Sequence, residues 1–341
     1  MSDILPAQLA GYRIHLVGAK GTGVCALAEL LVGAGAVVSG SDVDDVFYTD
    51  EILEALGVPV RPFSADAIDR AIQLVIHSAA YNPSTHPELL AAASLGIPVI
   101  TYPQALGALS ARRNSSGISG VHGKTTTTAL SGVLAGALGL RTAVLAGSAV
   151  GAFGGRSTMT LGTEQLIAET CEYRRHFLAF RPRRIVITSV EPDHQDYYPD
   201  YDAISAAFVE YACSLPLGGS VIYCADDRGA VDVWQRAVTT RPDLRGVPYG
   251  FSAEGPFRID AYRTGDGYAS FRLDAWDQSW QLHVPGRHVV LDATAALALC
   301  TTILEETEAR QPRPEELRAM AAALEGLAGS RRRSDIGGGA R

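Results

Sequence analysis

No stretch of about twenty uninterrupted apolar residues occurs in this 341-residue chain, so the sequence offers no obvious membrane span. The opening MSDILPAQLAGYRIHLVG lacks both a basic start and a continuous apolar segment, and it does not read as an export signal. Cysteine is scarce. Cys25, Cys171, Cys213, Cys224 and Cys300 stand at wide, irregular spacing with no CxxC pair, which excludes a zinc site or disulfide framework legible from spacing. Buried free thiols in a reducing compartment are the expectation. No long run of Lys or Arg occurs either, and the formal net charge is -8, which argues against a nucleic-acid partner. These absences leave a cytoplasmic protein with small ligands as the expected class.

What is present fits a buried α/β protein, with 47% hydrophobic and 19% charged residues. The length predicts two or three domains. Arg13–Val17 reads as a buried strand, followed by a Gly-rich turn and a helix over 23–33 with Val24, Leu27, Leu30 and Leu31 on one face. Strands are expected at 36–39, 73–78 and 97–102, with a helix at 86–95. This alternation means a parallel sheet with right-handed crossovers. The polar segment 111–116 reads as a linker. A second α/β run then has strands expected at 117–121, 142–146, 165–168, 184–190 and 220–223, and helices after Lys124, at 201–215 and at 227–237. Over 257–284 polar and apolar residues alternate around T-G-D-G at 264–267, a hairpin signal. Helices at 289–306 and 315–324 follow.

The strongest chemical signal is G-V-H-G-K-T at 120–125, lying between an expected strand and helix. Glycines let backbone N–H groups wrap phosphate oxygens, and the helix N-terminus adds a favourable dipole. Lys124 then reaches the β/γ-phosphates and the Thr125 hydroxyl a Mg²⁺ ion. Ile118 occupies the position of the first glycine in the full GxxxxGK[ST] spacing, so this is a shortened phosphate loop.

Two further segments bring carboxylates and an imidazole to strand ends, where ligands bind in open parallel sheets. One holds Glu169 and Glu172; the other holds Glu191, Asp193, His194 and Asp196. Spacing alone does not separate Mg²⁺ ligation by Glu169 and His194 from a solvated acidic loop with His194 as a local cap. A first glycine loop, G-A-K-G-T-G at 18–23, precedes a strand ending in Asp42. It is similar to a dinucleotide-binding turn, in which the acidic residue bonds ribose hydroxyls, although the glycines fall as GxxGxG. Two loops imply two nucleotide groups.

With these residues in place the chain resembles the Mur ligase family from about residue 12 to 335. The two glycine loops, S-G-S-D at 39–42, H-S-A-A at 77–80, A-E at 168–169, E-P-D-H-Q-D-Y-Y at 191–198, A-D-D at 225–227, G-R-H at 286–288 and G-S-R-R-R at 329–333 follow in the family's order. The resemblance implies an α/β fold in three parts. These are a Rossmann-like UDP-sugar-binding domain over 1–110, a P-loop-type ATP-binding domain over 111–328 with a small antiparallel hairpin region, and a stub of an amino-acid-binding domain over 329–341. It implies a reaction in which ATP phosphorylates the carboxylate of UDP-N-acetylmuramate and the amine of L-alanine displaces phosphate. By matched position, Gly120, Val121, His122, Gly123, Lys124, Thr125, Thr126 and His288 would contact ATP. Thr125, Glu169 and His194 would hold Mg²⁺, and Arg332 and Arg333 would approach the terminal phosphate. Gly18, Gly21, Thr22, Gly23, Asp42 and Ser78 would line the UDP-sugar site. The family's Gly-x-His-Asn-x-x-Asn run departs here, with Val289 and Asp292 at the asparagine positions. Because family members continue past the Arg run, the expectation is binding with little turnover. A ligase adding a whole peptide to the same sugar, or a non-catalytic UDP-sugar binder, are the alternatives.

Overall fold

The computed structural model describes residues 4–327. The chain divides into two compact units: Met1–Arg112 with Gly147–Ala149 and Arg156–Thr158, and the remainder from Arg113 on.

The first unit is built from β1 (Arg13–Val17), α1 (Thr22–Gly33), β2 (Val37–Asp42), α2 (Thr49–Ala55), β3 (Val60–Pro62), β4 (Leu74–His77), α3 (Pro87–Ser94), β5 (Val99–Thr101) and α4 (Tyr102–Ser110). Its five strands are parallel in the order β3-β2-β1-β4-β5. The central β1 and β4 are mostly apolar and, Arg13 apart, buried, as expected where both faces of a parallel sheet are covered. Helix α4 starts at a capping box, with Thr101 accepting from the Gln104 N–H and Gln104 accepting from the Thr101 N–H.

Behind β1 lies a buried polar network that composition does not announce. His15 Nδ1 is 2.9 Å from Ser39 Oγ, and Ser41 donates to the fully buried Glu88. The other Glu88 oxygen accepts from the Ser64 N–H at 3.0 Å. These hydrogen bonds hold the Glu88 carboxyl below the usual Glu range despite burial.

From Arg113 on the elements are β6 (Asn114–Ser119), α5 (Lys124–Ala137), β7 (Thr142–Val150), β8 (Arg156–Thr160), β9 (Gln165–Glu169), β10 (Arg184–Ile187), α6 (Tyr201–Cys213), β11 (Ser220–Cys224), α7 (Arg228–Thr240) and β12 (Arg245–Tyr249), of which the late part of β7 and the start of β8 count with the first unit. A second group follows: β13 (Ile259–Gly265), β14 (Tyr268–Leu273), β15 (Trp276–Leu282), α8 (Arg287–Glu308) and α9 (Pro314–Gly326). The main sheet runs β12-β11-β10-β6-β9-β7-β8, parallel from β12 through β7. Strands β13, β14 and β15 form a separate antiparallel sheet, and the expected hairpin turns at Asp266 and Gly267. Helices α6 and α7 start at Asp200 and Asp227, whose side chains accept from the Ala203 and Ala230 N–H groups. The 22-residue α8 is apolar and long enough to cross a bilayer, but most of it is buried inside this unit.

The polar segment read as a linker is a correction. Asn114–Ser119 is a buried strand in the middle of the main sheet. Its polar groups are matched by Arg184, whose side chain is fully buried and donates to Ser116 Oγ at 3.0 Å, Asn114 Oδ1 at 2.8 Å and Glu306. Buried polar atoms are tolerated where partners exist, and those partners lie 68 to 122 residues away. Gly117 is also required there, since a Cβ would stand 2.3 Å from the Tyr211 hydroxyl.

Candidate functional site

In the second unit, the neighbouring strands β9, β6 and β10 deliver three loops to one edge of the sheet. Between β6 and α5 runs the phosphate loop. Gly120 (φ 139°) and Gly123 (φ 79°) take backbone conformations that L side chains avoid. The loop is pinned from the end of β10: the Val121 N–H donates to Ser189 O at 3.1 Å and the His122 N–H to Ser189 Oγ at 2.9 Å. Thr188 Oγ1 donates to His122 O. The first N–H groups of α5 therefore open from a fixed turn, the arrangement that binds anions.

Lys124 and Thr125 point in different directions from this turn. The Lys124 ammonium lies 3.2 Å from both oxygens of Glu172, whose side chain is only 1% exposed. Thr125 Oγ1 donates to Glu169 Oε2 at 2.8 Å. His194 takes a left-handed conformation (φ 52°) and places Nε2 3.2 Å from Glu172 Oε1. Ligand atoms of Glu172, Asp193 and His194 all lie within 4.8 Å of one another.

Of the expected trio, Thr125 is hydrogen-bonded to Glu169, and His194 stands beside Glu172 and Asp193. Glu172 is the residue that sequence reading did not single out. The signal was there, an acidic residue three positions past Glu169 at the end of a buried strand, but only the fold shows it joining Lys124 to His194. The segment that carries it is held by Tyr198, whose hydroxyl donates to Glu172 O at 2.6 Å and is pushed up to about 12 by burial. Tyr173 packs 4.7 Å from the His194 ring and donates to Asp196. Arg174 and Arg175, with φ of 50° and 60°, mark a strained turn just after Glu172.

His122 is exposed and pairs with Glu191 at 2.6 Å. His288 is exposed at the start of α8, close over Gly286. Beside it Arg287 stacks 3.6 Å above the Phe251 ring and lies 3.6 Å from Asp226, a cluster that the spacing did not reveal. Arg332 and Arg333 lie outside the described residues.

The first unit shows a second, separate loop. Gly18 has φ 83°, and a Cβ there would stand 2.5 Å from the Tyr81 ring. Gly21 caps α1, and a Cβ on Gly23 would stand 3.0 Å from Tyr102. Thr22 Oγ1 accepts from the Tyr48 hydroxyl at 3.0 Å, and Ser78 Oγ accepts from the Ala80 N–H. Asp42 is buried, and its oxygens accept from the Lys20 N–H at 2.7 Å, the Val43 N–H at 2.8 Å and Tyr81. In this structure Asp42 staples the glycine loop to β2.

A profile described as "Mur ligase family, catalytic domain" matches residues 13–114, and one described as "Mur ligase middle domain" matches 118–300. The chain is 49% identical over 333 residues to UDP-N-acetylmuramate–L-alanine ligase of Treponema pallidum, covering 97% of this chain and 69% of that protein. It is 37% identical over 297 residues to the protein of the same name from Borreliella burgdorferi, covering 86% and 63%. Among solved structures it is similar to UDP-N-acetylmuramate:L-alanyl-gamma-D-glutamyl-meso-diaminopimelate ligase from Neisseria meningitides, with TM-score 0.76, 23% identity, and coverage of 92% and 98%. It is also similar to UDP-N-acetylmuramate-alanine ligase from Thermotoga maritima, with TM-score 0.72, 23% identity, and coverage of 92% and 68%. At such identity the solved structures share the fold. The chain spans roughly two thirds of the length of these curated relatives.

Proposed function

The chain belongs to the Mur ligase family, and from that premise we propose that it serves the ATP-dependent joining of L-alanine to UDP-N-acetylmuramate, a step in making peptidoglycan precursors. The alanine assignment rests on the name shared by its 49% and 37% identical relatives. The observation that carries the chemistry is Lys124 and Thr125 leaving one pinned glycine turn toward Glu172 and Glu169.

In this reading the first N–H groups of α5 cradle the β-phosphate and Lys124 moves from Glu172 to the β/γ-phosphate oxygens. The muramate carboxylate attacks the γ-phosphorus and ADP leaves; the alanine amine then attacks the acyl carbon of the acyl phosphate, expelling inorganic phosphate and losing a proton. With so little covalent work for the protein, its contribution is positioning and charge stabilisation. The Thr125 hydroxyl and the carboxylates of Glu169, Glu172 and Asp193 are hard oxygen donors that suit Mg²⁺, with His194 as an added ligand. Mg²⁺ would neutralise charge on the phosphate oxygens. Gly120, Val121, His122, Gly123, Thr126 and His288 are assigned to ATP. Gly18, Gly21, Thr22, Gly23, Asp42 and Ser78 are assigned to the UDP-sugar, with Asp42 also fixing their loop.

Calorimetric titration tests this. Mg-ATP and UDP-N-acetylmuramate are both expected to bind with one-to-one stoichiometry. Binding of the sugar nucleotide alone would support a non-catalytic binder, and binding of ATP alone would remove the first unit's assigned role. For the ion, Glu169→Gln is expected to raise the Mg²⁺ concentration needed for half-maximal ATP binding by about tenfold or more, since a charge-assisted contact contributes ~1.5–3 kcal/mol. An unchanged Mg²⁺ midpoint would place the ion elsewhere.

A further inference from the structure

Asp292 sits in the second turn of α8, 9% exposed, pressed against the turn that opens α5. A Cβ built on Gly123 would stand 2.3 Å from its Oδ1, 3.2 Å from its Cγ and 3.5 Å from its Oδ2. The carboxyl therefore occupies the space behind the phosphate loop that a side chain at position 123 would need. Its hydrogen-bond partner is Thr127 Oγ1, at a long 3.4 Å.

The charges around it are unfavourable for an anion. Lys124, the nearest cation along α5, is turned to Glu172. From β12 the titratable neighbour is Tyr249, whose hydroxyl is pushed upward by burial and then by Cys224 and Asp292. On its own helix Arg287 is turned to Asp226, and His288 is exposed. No cation among the described residues pairs with Asp292, and burial pushes its carboxyl up to about 7.

We propose that Asp292 supports the phosphate loop as a neutral acid, so that nucleotide binding at this loop is coupled to uptake of a proton by Asp292. The inference rests on the nucleotide reading above and deepens it. An ionised Asp292 would set an uncompensated negative charge directly behind the turn that receives phosphate. Phosphate in the loop therefore favours the protonated carboxyl, and by linkage protonation favours phosphate. Asp292 is a positioning residue here, acting on the nucleotide through the loop.

The test uses Mg-ADP as the probe. Wild-type affinity is expected to fall about tenfold between pH 6 and pH 8.5, with proton uptake visible at pH 7 as a calorimetric heat that depends on the buffer's ionisation enthalpy. Asp292→Asn should bind with an affinity that varies less than about twofold over that range and with no more proton uptake than the nucleotide itself contributes. A parallel pH response in both proteins, or no uptake by the wild type, overturns the proposal.

A nucleotide-free readout separates it from the parent reading. With its native value raised, Asp292 holds a proton in the folded state between about pH 4 and 7 that the unfolded chain has released. Wild-type stability is then lost as pH rises through that window. The Tm advantage of Asp292→Asn over wild type should grow by several degrees from pH 4 to pH 8. If Mg-ADP fails to bind at any pH while this Tm trend appears, the nucleotide reading is what fails. A flat Tm difference removes the neutral acid.

Discussion

Replacing Lys124 with Met is expected to weaken Mg-ATP binding by at least about a hundredfold and to destabilise the second unit at the same time. The two effects have different origins. The binding loss comes from removing a cation that meets phosphate oxygens from a fixed turn, where a charge-assisted contact is about twice as strong as a neutral one. The stability loss comes from Glu172, which is 1% exposed and takes both oxygens to Lys124. Breaking a buried pair by removing one partner leaves an uncompensated charge and costs roughly 3–5 kcal/mol. Here His194, 3.2 Å from Glu172, relieves part of that cost. Changing Glu172 to Gln in the same protein should restore most of the lost Tm without restoring nucleotide binding. If the single variant binds Mg-ATP like wild type, the phosphate-loop assignment is wrong. If the double variant stays as unstable as the single one, the buried charge was not the cause.

Gly120→Ala should have the other large effect. Gly120 has φ 139°, and a Cβ there would stand 2.1 Å from Thr188 Oγ1, 2.8 Å from Ser189 N and 3.0 Å from Ser189 O. The backbone strain costs about 1–3 kcal/mol, and overpacking against the strand end about 1–3 kcal/mol more. In a unit of this size that corresponds to a Tm lower by roughly 5–20 °C. Because Ser189 and Thr188 are the groups that pin the loop, nucleotide binding should fall with stability. Gly139 supplies the control: its φ is 67°, but a Cβ there meets nothing within 4 Å. Gly139→Ala should cost only the backbone term, about 1 kcal/mol. Equal melting shifts for the two alanines would show that the crowding at Gly120 is relieved by loop movement.

Sequence alone went furthest where chemistry is local. Glycines that need left-handed backbone, a lysine and a threonine at a helix start, and buried strands of Val, Ile and Leu are decided within a few residues. Hence β1, α1, β4, β10 and the hairpin between β13 and β14 were legible, and so was the glycine turn that opens α5.

Sequence reading stumbled where a residue's role depends on a distant partner. Strand β6 looked like a linker because its serines and Asn114 are polar, and only Arg184, brought alongside by strand pairing, makes their burial tolerable. Asp42 matches a ribose-binding acid by position, and only the fold shows that its oxygens also accept from Lys20, Val43 and Tyr81. Asp292 looked like a lost asparagine, while its placement against Gly123 makes it a buried acid with a distinct titration.

The sequence by itself determined that this chain has two glycine loops, each between a strand and a helix, and which lysine and hydroxyl leave the second one. Tertiary structure alone decided which carboxylates those groups meet, because Glu169 reaches Thr125, Glu172 reaches Lys124 and His194 reaches Glu172 only through the order β9-β6-β10. Burial and charge pairing are properties of that arrangement, and no local pattern encodes them.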